Sequence, residues 1–343
     1  MVFFRADANE VIGTGHVMRC ISIAKAFAHR GIEALFIVAD ERSKVLIEQN
    51  GFGTICLNSE WTNMESELPK IREIICECNP NLLVVDSYYV TERYFSSLAR
   101  ECKIAYIDDM NQERFDIDIL INYNIFAQSY DYSWYIGTHT KLLLHPKYAP
   151  LREEFRDCPR HRIKKTSDVL VSAGGADPEH VTERMISEIC EKMIGVRFHF
   201  VIGALNPRIV SIEEMAKEKG NVILHINEKY MAHLMKNCDI AISAAGTTLY
   251  ELCATGIPTI TYSLADNQLV AAEQFDKQGI MLSVGDCRGN VGFINQIAFS
   301  LGYLIENENK RKELSKRMQD LVDGQGAARI VEKLIDYCSI KSA

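Results

Sequence analysis

Five stretches of this sequence bring chemically capable side chains to the ends of apolar runs. The first reads F-R-A-D-A-N-E-V-I-G-T-G-H-V-M-R-C over residues 4–20. Gly13 and Gly15 can take positive φ and let a ligand approach the backbone closely. The helical pattern that follows starts near His16, so unpaired N–H groups and the positive end of a helix dipole stand beside an imidazole. Imidazole ordinarily titrates near neutral pH, so a histidine placed there can take a proton from a nucleophile. A histidine at a helix start can also simply pack, and the pattern alone leaves both readings open. The loop is not a dinucleotide fingerprint, because G-x-G-x-x-G requires glycine at position 18, where Met18 stands.

Three further stretches can hold an anion or a polar ligand. Ser172-Ala173-Gly174-Gly175-Ala176-Asp177-Pro178 reads as strand end, glycine turn and helix start, with Asp177 as cap and Pro178 in the first helical turn. Adjacent Gly174 and Gly175 suit a ligand passing close to the chain. Over 243–252, Ala245 and Gly246 lead to Thr247 and Thr248 at a helix start, which supplies N–H and hydroxyl donors for a phosphate. Glu251, one turn on, can accept two hydrogen bonds from a ribose diol or merely complement the helix dipole. Asp266-Asn267-Gln268 follows the run T-I-T-Y-S-L. Asp266 reads as a cap, and the two amides suit a base, a phosphate or sugar hydroxyls. The fifth stretch, Asp86-Ser87-Tyr88-Tyr89, ends an apolar strand. Asp86 would border a binding cleft, and Tyr88 can reach a substrate or orient a water. Asp108 and Asp109 end another strand and are further candidates.

These stretches need a scaffold, and the chain alternates short apolar runs with amphipathic segments nearly to its end. Strands are expected at 2–5, 34–38, 54–57, 82–86, 104–108 and 119–123, with helical patterns such as 16–30 and 64–78 between them. Residues 144–166, with Pro146, Pro150, Pro159 and the cluster R-H-R-I-K-K, read as a linker or crossover. A second series follows, with strands expected at 168–172, 197–202, 222–225, 240–244, 258–262 and 281–284, then a helical stretch over 291–338. Strands separated by helices of 10–15 residues give parallel β-α-β units, whose ligands bind beyond the strands' carboxyl ends. The expectation is therefore an α/β protein of two Rossmann-like, doubly wound domains, 1–150 and 151–343, facing a cleft.

Composition bounds the function. At roughly 150 residues per domain, 343 residues make two. A content of 47% hydrophobic and 24% charged residues excludes a mainly disordered or collagen-like chain. A net charge of −8 speaks against a protein whose main task is gripping nucleic acid. The 11 cysteines are odd in number and include no C-x-x-C, which reads as free thiols in a reducing cytoplasm. The nine histidines form no H-x-x-x-H pair, so spacing indicates no metal site. The opening M-V-F-F-R-A-D lacks the pattern of a signal peptide, and no apolar run approaches the roughly 18 residues of a membrane span.

Taken together, R-A-D-x(5)-G-T-G-H-x-M-R-C, then G-G-A-D, S-A-A-G-T-T-x-Y-E-L-x-x-x-G-x-P, D-N-Q and D-G-Q-G-A-A-R-I at 323–330 resemble the UDP-2,4-diacetamido-2,4,6-trideoxy-β-L-altropyranose hydrolases of pseudaminic acid biosynthesis. The resemblance runs in order along nearly the whole chain. A related group serves spore-coat polysaccharide synthesis, and the family is similar to glycosyltransferases of the GT-B fold. The resemblance implies a UDP-sugar substrate, UDP as product and no cofactor. It implies that His16 is the general base that activates water, with Tyr88 near that water, although Ser87 precedes Tyr88 where relatives can carry His. It further implies that 246–248 cradle the diphosphate, that Glu251 binds the ribose, and that Asn267 and Gln268 face the nucleotide and sugar. Direct attack by water would invert the anomeric centre. A GT-B glycosyltransferase, in which an acceptor hydroxyl replaces water, is the alternative. A catalytically silent sugar-nucleotide sensor is a further one, and so is other nucleotide-sugar chemistry such as epimerisation.

Overall fold

The computed structural model describes residues 1–203 and 206–340; residues 204, 205 and 341–343 lie outside it. The chain divides into two compact units, Met1–Glu153 with Gly324–Ala343, and Glu154–Asp323.

The first unit is built on β1 (Val2–Ala6), α1 (Gly15–Ala28), β2 (Ala34–Val38), α2 (Lys44–Gln49), β3 (Gly53–Cys56), α3 (Leu68–Cys78), β4 (Leu82–Asp86), α4 (Glu92–Leu98), β5 (Lys103–Ile107), β6 (Ile119–Asn122) and β7 (Lys141–Leu144). Its strands form one parallel sheet in the order β3-β2-β1-β4-β5-β6-β7. Every residue of β1 and β4 is buried, as continuous apolar runs covered on both faces should be. Phe3, Leu83, Val85, Ile104 and Leu120 pack on one face against Ile71 and Ile75 of α3 and Phe95 of α4. The sequence pattern does not mark β7. Its four residues, K-L-L-L, stand at the sheet edge and end where the stretch that reads as linker begins. The helix expected over 64–78 is a short turn at Met64–Glu67 followed by α3.

The second unit contains β8 (Asp168–Ser172), α5 (Val181–Glu188), β9 (Arg197–Ile202), α6 (Ile209–Lys217), β10 (Val222–Ile226), α7 (Met231–Asn237), β11 (Ile240–Ala244), α8 (Thr248–Thr255), β12 (Thr259–Ser263), α9 (Asp266–Lys277), β13 (Leu282–Asp286), α10 (Phe293–Glu306) and α11 (Glu308–Leu321). The parallel order is β10-β9-β8-β11-β12-β13. Phe198, Phe200, Ile242 and Tyr262 pack beneath α5 and α10.

The chain then returns. Helix α12 (Gly326–Cys338) packs against α1 of the first unit with a stripe of Ala327, Ile330, Val331 and Leu334. Tyr337 donates from its hydroxyl to the His139 carbonyl at 2.7 Å, and Arg329 donates to the Lys147 carbonyl at 2.9 Å. A Cβ on Gly326 would stand 2.0 Å from the carbonyl oxygen of Ala149, so only glycine lets the helix start that close. The second domain expected over 151–343 is corrected at its end, since the last helix joins the first unit. The prolines and basic cluster of 144–166 are a cue to the first crossing, and a returning helix gives none.

One buried group makes the second unit acid-sensitive. Burial, opposed by Asp239, brings the His161 imidazole down to about 4, and its Nε2 has no hydrogen-bond partner. An unfolded histidine titrates near 6.5, so between about pH 6.5 and 4 the unfolded chain binds a proton that the fold does not. The contribution of this group is whole above about pH 6.5 and is lost as pH falls toward 4, on the order of 2–3 kcal/mol. His161→Phe is expected to flatten that part of the stability-versus-pH curve. Parallel urea-melt curves for both proteins from pH 7 to 4 would refute the assignment.

Candidate active site

Both sheets reverse their strand order once, between β1 and β4 and between β8 and β11. In doubly wound sheets the loops diverge at that point and open a crevice at the carboxyl ends. In the first unit the register pairs Ala6 with Asp86, so the loop after β1 and the end of β4 arrive together. In the second it pairs Ser172 with Ser243, which brings the loop after β8 beside the loop after β11.

In the first unit the loop after β1 is closed on itself. The Asn9 carboxamide oxygen accepts from the N–H of Val11 and Ile12, and Gly13 N–H donates to the Asn9 carbonyl at 2.8 Å. Gly13 takes φ +69, as expected; Gly15 does not, and open space lies where its Cβ would be. Helix α1 then sets His16 in its first turn and Arg19 one turn on, on the same face. His16 Nδ1 lies 2.6 Å from Asp86 Oδ1. The Arg19 guanidinium clasps the same carboxylate, Nε to Oδ2 at 2.5 Å and Nη2 to Oδ1 at 2.6 Å. Its Nη1 donates to Asp109 at 2.8 Å and to the Tyr123 hydroxyl at 2.9 Å.

Burial alone would raise Asp86, but the charges of Arg19 and His16 outweigh it and hold the carboxyl down to about 2. An ionised carboxylate at 2.6 Å must accept from Nδ1–H, and that assigns the imidazole tautomer. Nε2 is then the basic nitrogen, and among the described residues no side chain or backbone group bonds to it. The ring of Tyr88 stands edge-on to the His16 ring, with centroids 4.6 Å apart. Its hydroxyl donates to Asp109 at 3.3 Å, and burial together with Asp109 raises its pKa, so it remains a proton donor. Asp108 turns away from this cluster: its Oδ1 accepts from the N–H groups of Met110 and Asn111 and builds the turn after β5.

In the second unit Gly174 takes φ +77, and a Cβ on Gly203 would stand 2.6 Å from the Gly175 carbonyl oxygen, so two glycine backbones touch here. Asp177 does cap a helix, but from a distance. Its two oxygens accept from Val181 and Thr182 N–H at 2.9 Å, while Pro178 lies in the turn ahead of α5 rather than inside it. The Arg208 guanidinium donates to the Asp177 carbonyl and to Glu183, each at 2.5 Å. After β11, Ala245 N–H pairs with the Tyr262 carbonyl at 2.8 Å, and Gly246 and Thr247 carry the chain into α8. At the start of that helix the N–H groups of Leu249 and Tyr250 donate to the carbonyls of Gly246 and Thr247 at 3.1 Å. Glu251 lies in its first turn, half-buried.

Asn267 stands exposed on the first turn of α9. One expectation at this strand end is corrected. Asp266 does not cap; its carboxylate pairs with Arg288 at 2.5 Å. Gln268 spends its carboxamide oxygen on Leu264 N–H at 2.9 Å, closing the loop after β12. Among the described residues no group of three or more His, Cys, Asp or Glu side chains could hold a metal ion, and no helix is long and apolar enough to cross a membrane.

Comparison with known proteins follows the same lines. Residues 169–337 match a family profile described as a protein of unknown function, DUF354. An uncharacterized protein of Methanocaldococcus jannaschii, MJ1062, is 24% identical over 98% of this chain, and the match spans 66% of its own length. The UDP-2,4-diacetamido-2,4,6-trideoxy-β-L-altropyranose hydrolase of Campylobacter jejuni is 25% identical over 81% of this chain and 97% of its own. This chain resembles that hydrolase over most of its length. Among solved structures, MurG of Acinetobacter baumannii superposes over 98% of this chain and 99% of its own with a TM-score of 0.72 at 12% identity. The fold class is thus the two-domain Rossmann-like architecture of the GT-B glycosyltransferases.

His16, Tyr88, Asp86 and Asp109 therefore meet in one cluster, and Gly174, Gly175 and 245–248 stand at the ends of neighbouring strands. Arg19 is the residue that pattern reading passes over. Its signal was present, since an arginine three residues after a histidine shares its helix face.

Proposed function

We propose that the chain hydrolyses the anomeric C–O bond of a UDP-linked 2,4-diacetamido-2,4,6-trideoxy sugar, releasing free sugar and UDP with inversion, in pseudaminic acid biosynthesis. The observation that carries this reading is the 2.6 Å contact between His16 Nδ1 and ionised Asp86. It leaves Nε2 as a fixed acceptor. In the reaction, Nε2 takes a proton from water as the water oxygen attacks the anomeric carbon, and the bond electrons leave on the UDP β-phosphate. Charge grows on that phosphate as the bond breaks. The N–H groups and hydroxyls of Thr247 and Thr248, at the start of α8, would donate to such a charge. Glu251 would accept from the ribose hydroxyls, the glycines at 174 and 175 let the diphosphate approach, and Asn267 would meet the sugar or base. Tyr88 packs the imidazole edge-on and keeps it upright. All eleven cysteines are unpaired, which suits a cytoplasmic setting.

Two measurements test the assignment. Phosphorus and proton NMR with a panel of UDP-sugars should show UDP and free sugar from the diacetamido-trideoxy-altrose derivative without any added acceptor. A glycosyltransferase would release sugar only onto an acceptor. Hydrogen exchange with and without UDP should show protection concentrated in 245–251 of the second unit. Equal protection around His16 would count against placing the nucleotide there.

A further inference from the structure

Beside His16 lies a small pocket, entirely within the first unit. Ile12, Trp61, Tyr88 and Tyr89 form its walls, and His16, Asp7, Asp86 and Ser87 complete its lining. About 10 Å³ of it is open to the centre of a water-sized sphere. A polar cavity begins to hold a single water at roughly that size. The walls are braced against each other. Trp61 and Tyr89 meet edge to face with centroids 5.1 Å apart, and His16 and Tyr88 do so at 4.6 Å.

The polar lining is mostly committed. Asp7 accepts from Ala39 N–H and from Arg5, and Asp86 from His16 and Arg19. The groups left for a guest are His16 Nε2 and the Ser87 hydroxyl, which accepts from Tyr89 N–H at 3.2 Å. The space therefore fits one small hydroxyl-bearing molecule next to the base, and the Trp61 indole is part of the wall around it.

We propose that Trp61, backed by Tyr89 and faced by Ile12, is the wall that restricts the nucleophile to water. This inference rests on the hydrolase reading above and deepens it by naming what makes the site a hydrolase rather than a transferase. The chemistry does not itself discriminate. Water or an alcohol can attack the anomeric carbon through oxygen, pass its proton to Nε2, and expel UDP with the electrons of the broken C–O bond. Water then gives the free sugar, and an alcohol gives the alkyl glycoside. Discrimination has to be steric, and excluding one carbon from a fitted pocket is worth about 10–200-fold.

The test is a partition measurement. The native protein and its variants turn over UDP-2,4-diacetamido-2,4,6-trideoxy-β-L-altropyranose in buffered water–methanol mixtures, and the ratio of methyl glycoside to free sugar is read by proton NMR. The ratio is internal to each sample, so a slower variant reads as well as a fast one. The native protein is expected to form methyl glycoside at less than about a tenth of methanol's molar share, and Trp61→Ala to raise the ratio at least about tenfold. Ile12→Ala, in the loop on the opposite wall, should raise it too and serves if Trp61→Ala does not fold. A native ratio equal to the molar share, or ratios unmoved in the folded variants, would overturn the proposal. Free sugar with an unmoved ratio defeats this inference alone. A native protein that releases neither product defeats the hydrolase reading and this inference with it.

Discussion

Replacing His16 with Asn is expected to lower turnover of the UDP-sugar by roughly 10²–10⁴ and to leave the Kd for UDP unchanged. Asparagine is the informative choice because its amide N–H can still donate to Asp86, so the buried carboxylate keeps its partner. Arg19 continues to clasp Asp86 with two hydrogen bonds and Asp109 with a third. The variant should therefore fold and melt close to the native protein. What it lacks is the basic nitrogen at the Nε2 position. Steady-state rates and isothermal titration with UDP separate the two quantities, and a variant retaining most of its rate would remove His16 from the mechanism. Asp86→Asn should slow the reaction by a different route. It removes the charge that assigns Nδ1–H, so the imidazole can present the wrong nitrogen, and it leaves the Arg19 guanidinium short of an anion. That variant should lose thermal stability as well as rate. Tyr88→Phe should cost least, since its hydroxyl bonds Asp109 rather than the imidazole.

The parts of this arrangement legible in the sequence are those that one segment encodes by itself. The runs L-L-V-V-D and V-L-V-S read as buried strands because a parallel sheet covered on both faces demands such runs, and the structure places both at the sheet centres. Glycine-rich loops at strand ends marked both crevices. What two distant segments decide together stayed hidden. The pairing of His16 with Asp86 spans 70 residues and depends on β1 and β4 being neighbours, which follows from the reversal of strand order and from no local signal. The same holds for α12, whose amphipathic stripe is plain but whose partner, α1, lies almost the whole chain away. Capping residues misled at Asp266 because a more attractive partner, Arg288, reaches it from the loop after β13. Gln268 was read as facing a ligand, whereas a loop N–H claims its oxygen.

The largest expected loss of stability lies just behind the active site. Arg5 and Glu67 are fully buried, and their side chains form a paired fork, Nε to Oε1 and Nη2 to Oε2, both at 2.7 Å. The Tyr94 hydroxyl donates to Glu67 at 2.8 Å and the Ser59 hydroxyl donates to Glu67 at 3.1 Å, while the remaining guanidinium nitrogen donates to Asp7 at 2.5 Å. Asp7 in turn accepts from Ala39 N–H at 2.7 Å, which ties the end of β1 to the chain just past β2. Burying the two ions is costly, and only this complete set of partners offsets it. Glu67→Gln keeps the shape but leaves Arg5 with one carboxylate instead of two. The expected cost is about 3–5 kcal/mol, or roughly a 6–20 °C drop in the melting temperature. Replacing both members, Arg5→Met with Glu67→Met, should recover part of that loss, because the fork is removed as a pair, while Asp7 gives up its guanidinium and keeps the Ala39 N–H. A double-mutant cycle by thermal and urea melts decides it. If the double variant is less stable than the native protein by the full sum of the Arg5→Met and Glu67→Met effects, the pair is not a unit. The consequence for activity follows from position. Asp7 is a fixed point just ahead of the loop that delivers His16, so loosening Arg5 should lower kcat, while the UDP affinity, proposed above to lie with the second unit, should stay as it was.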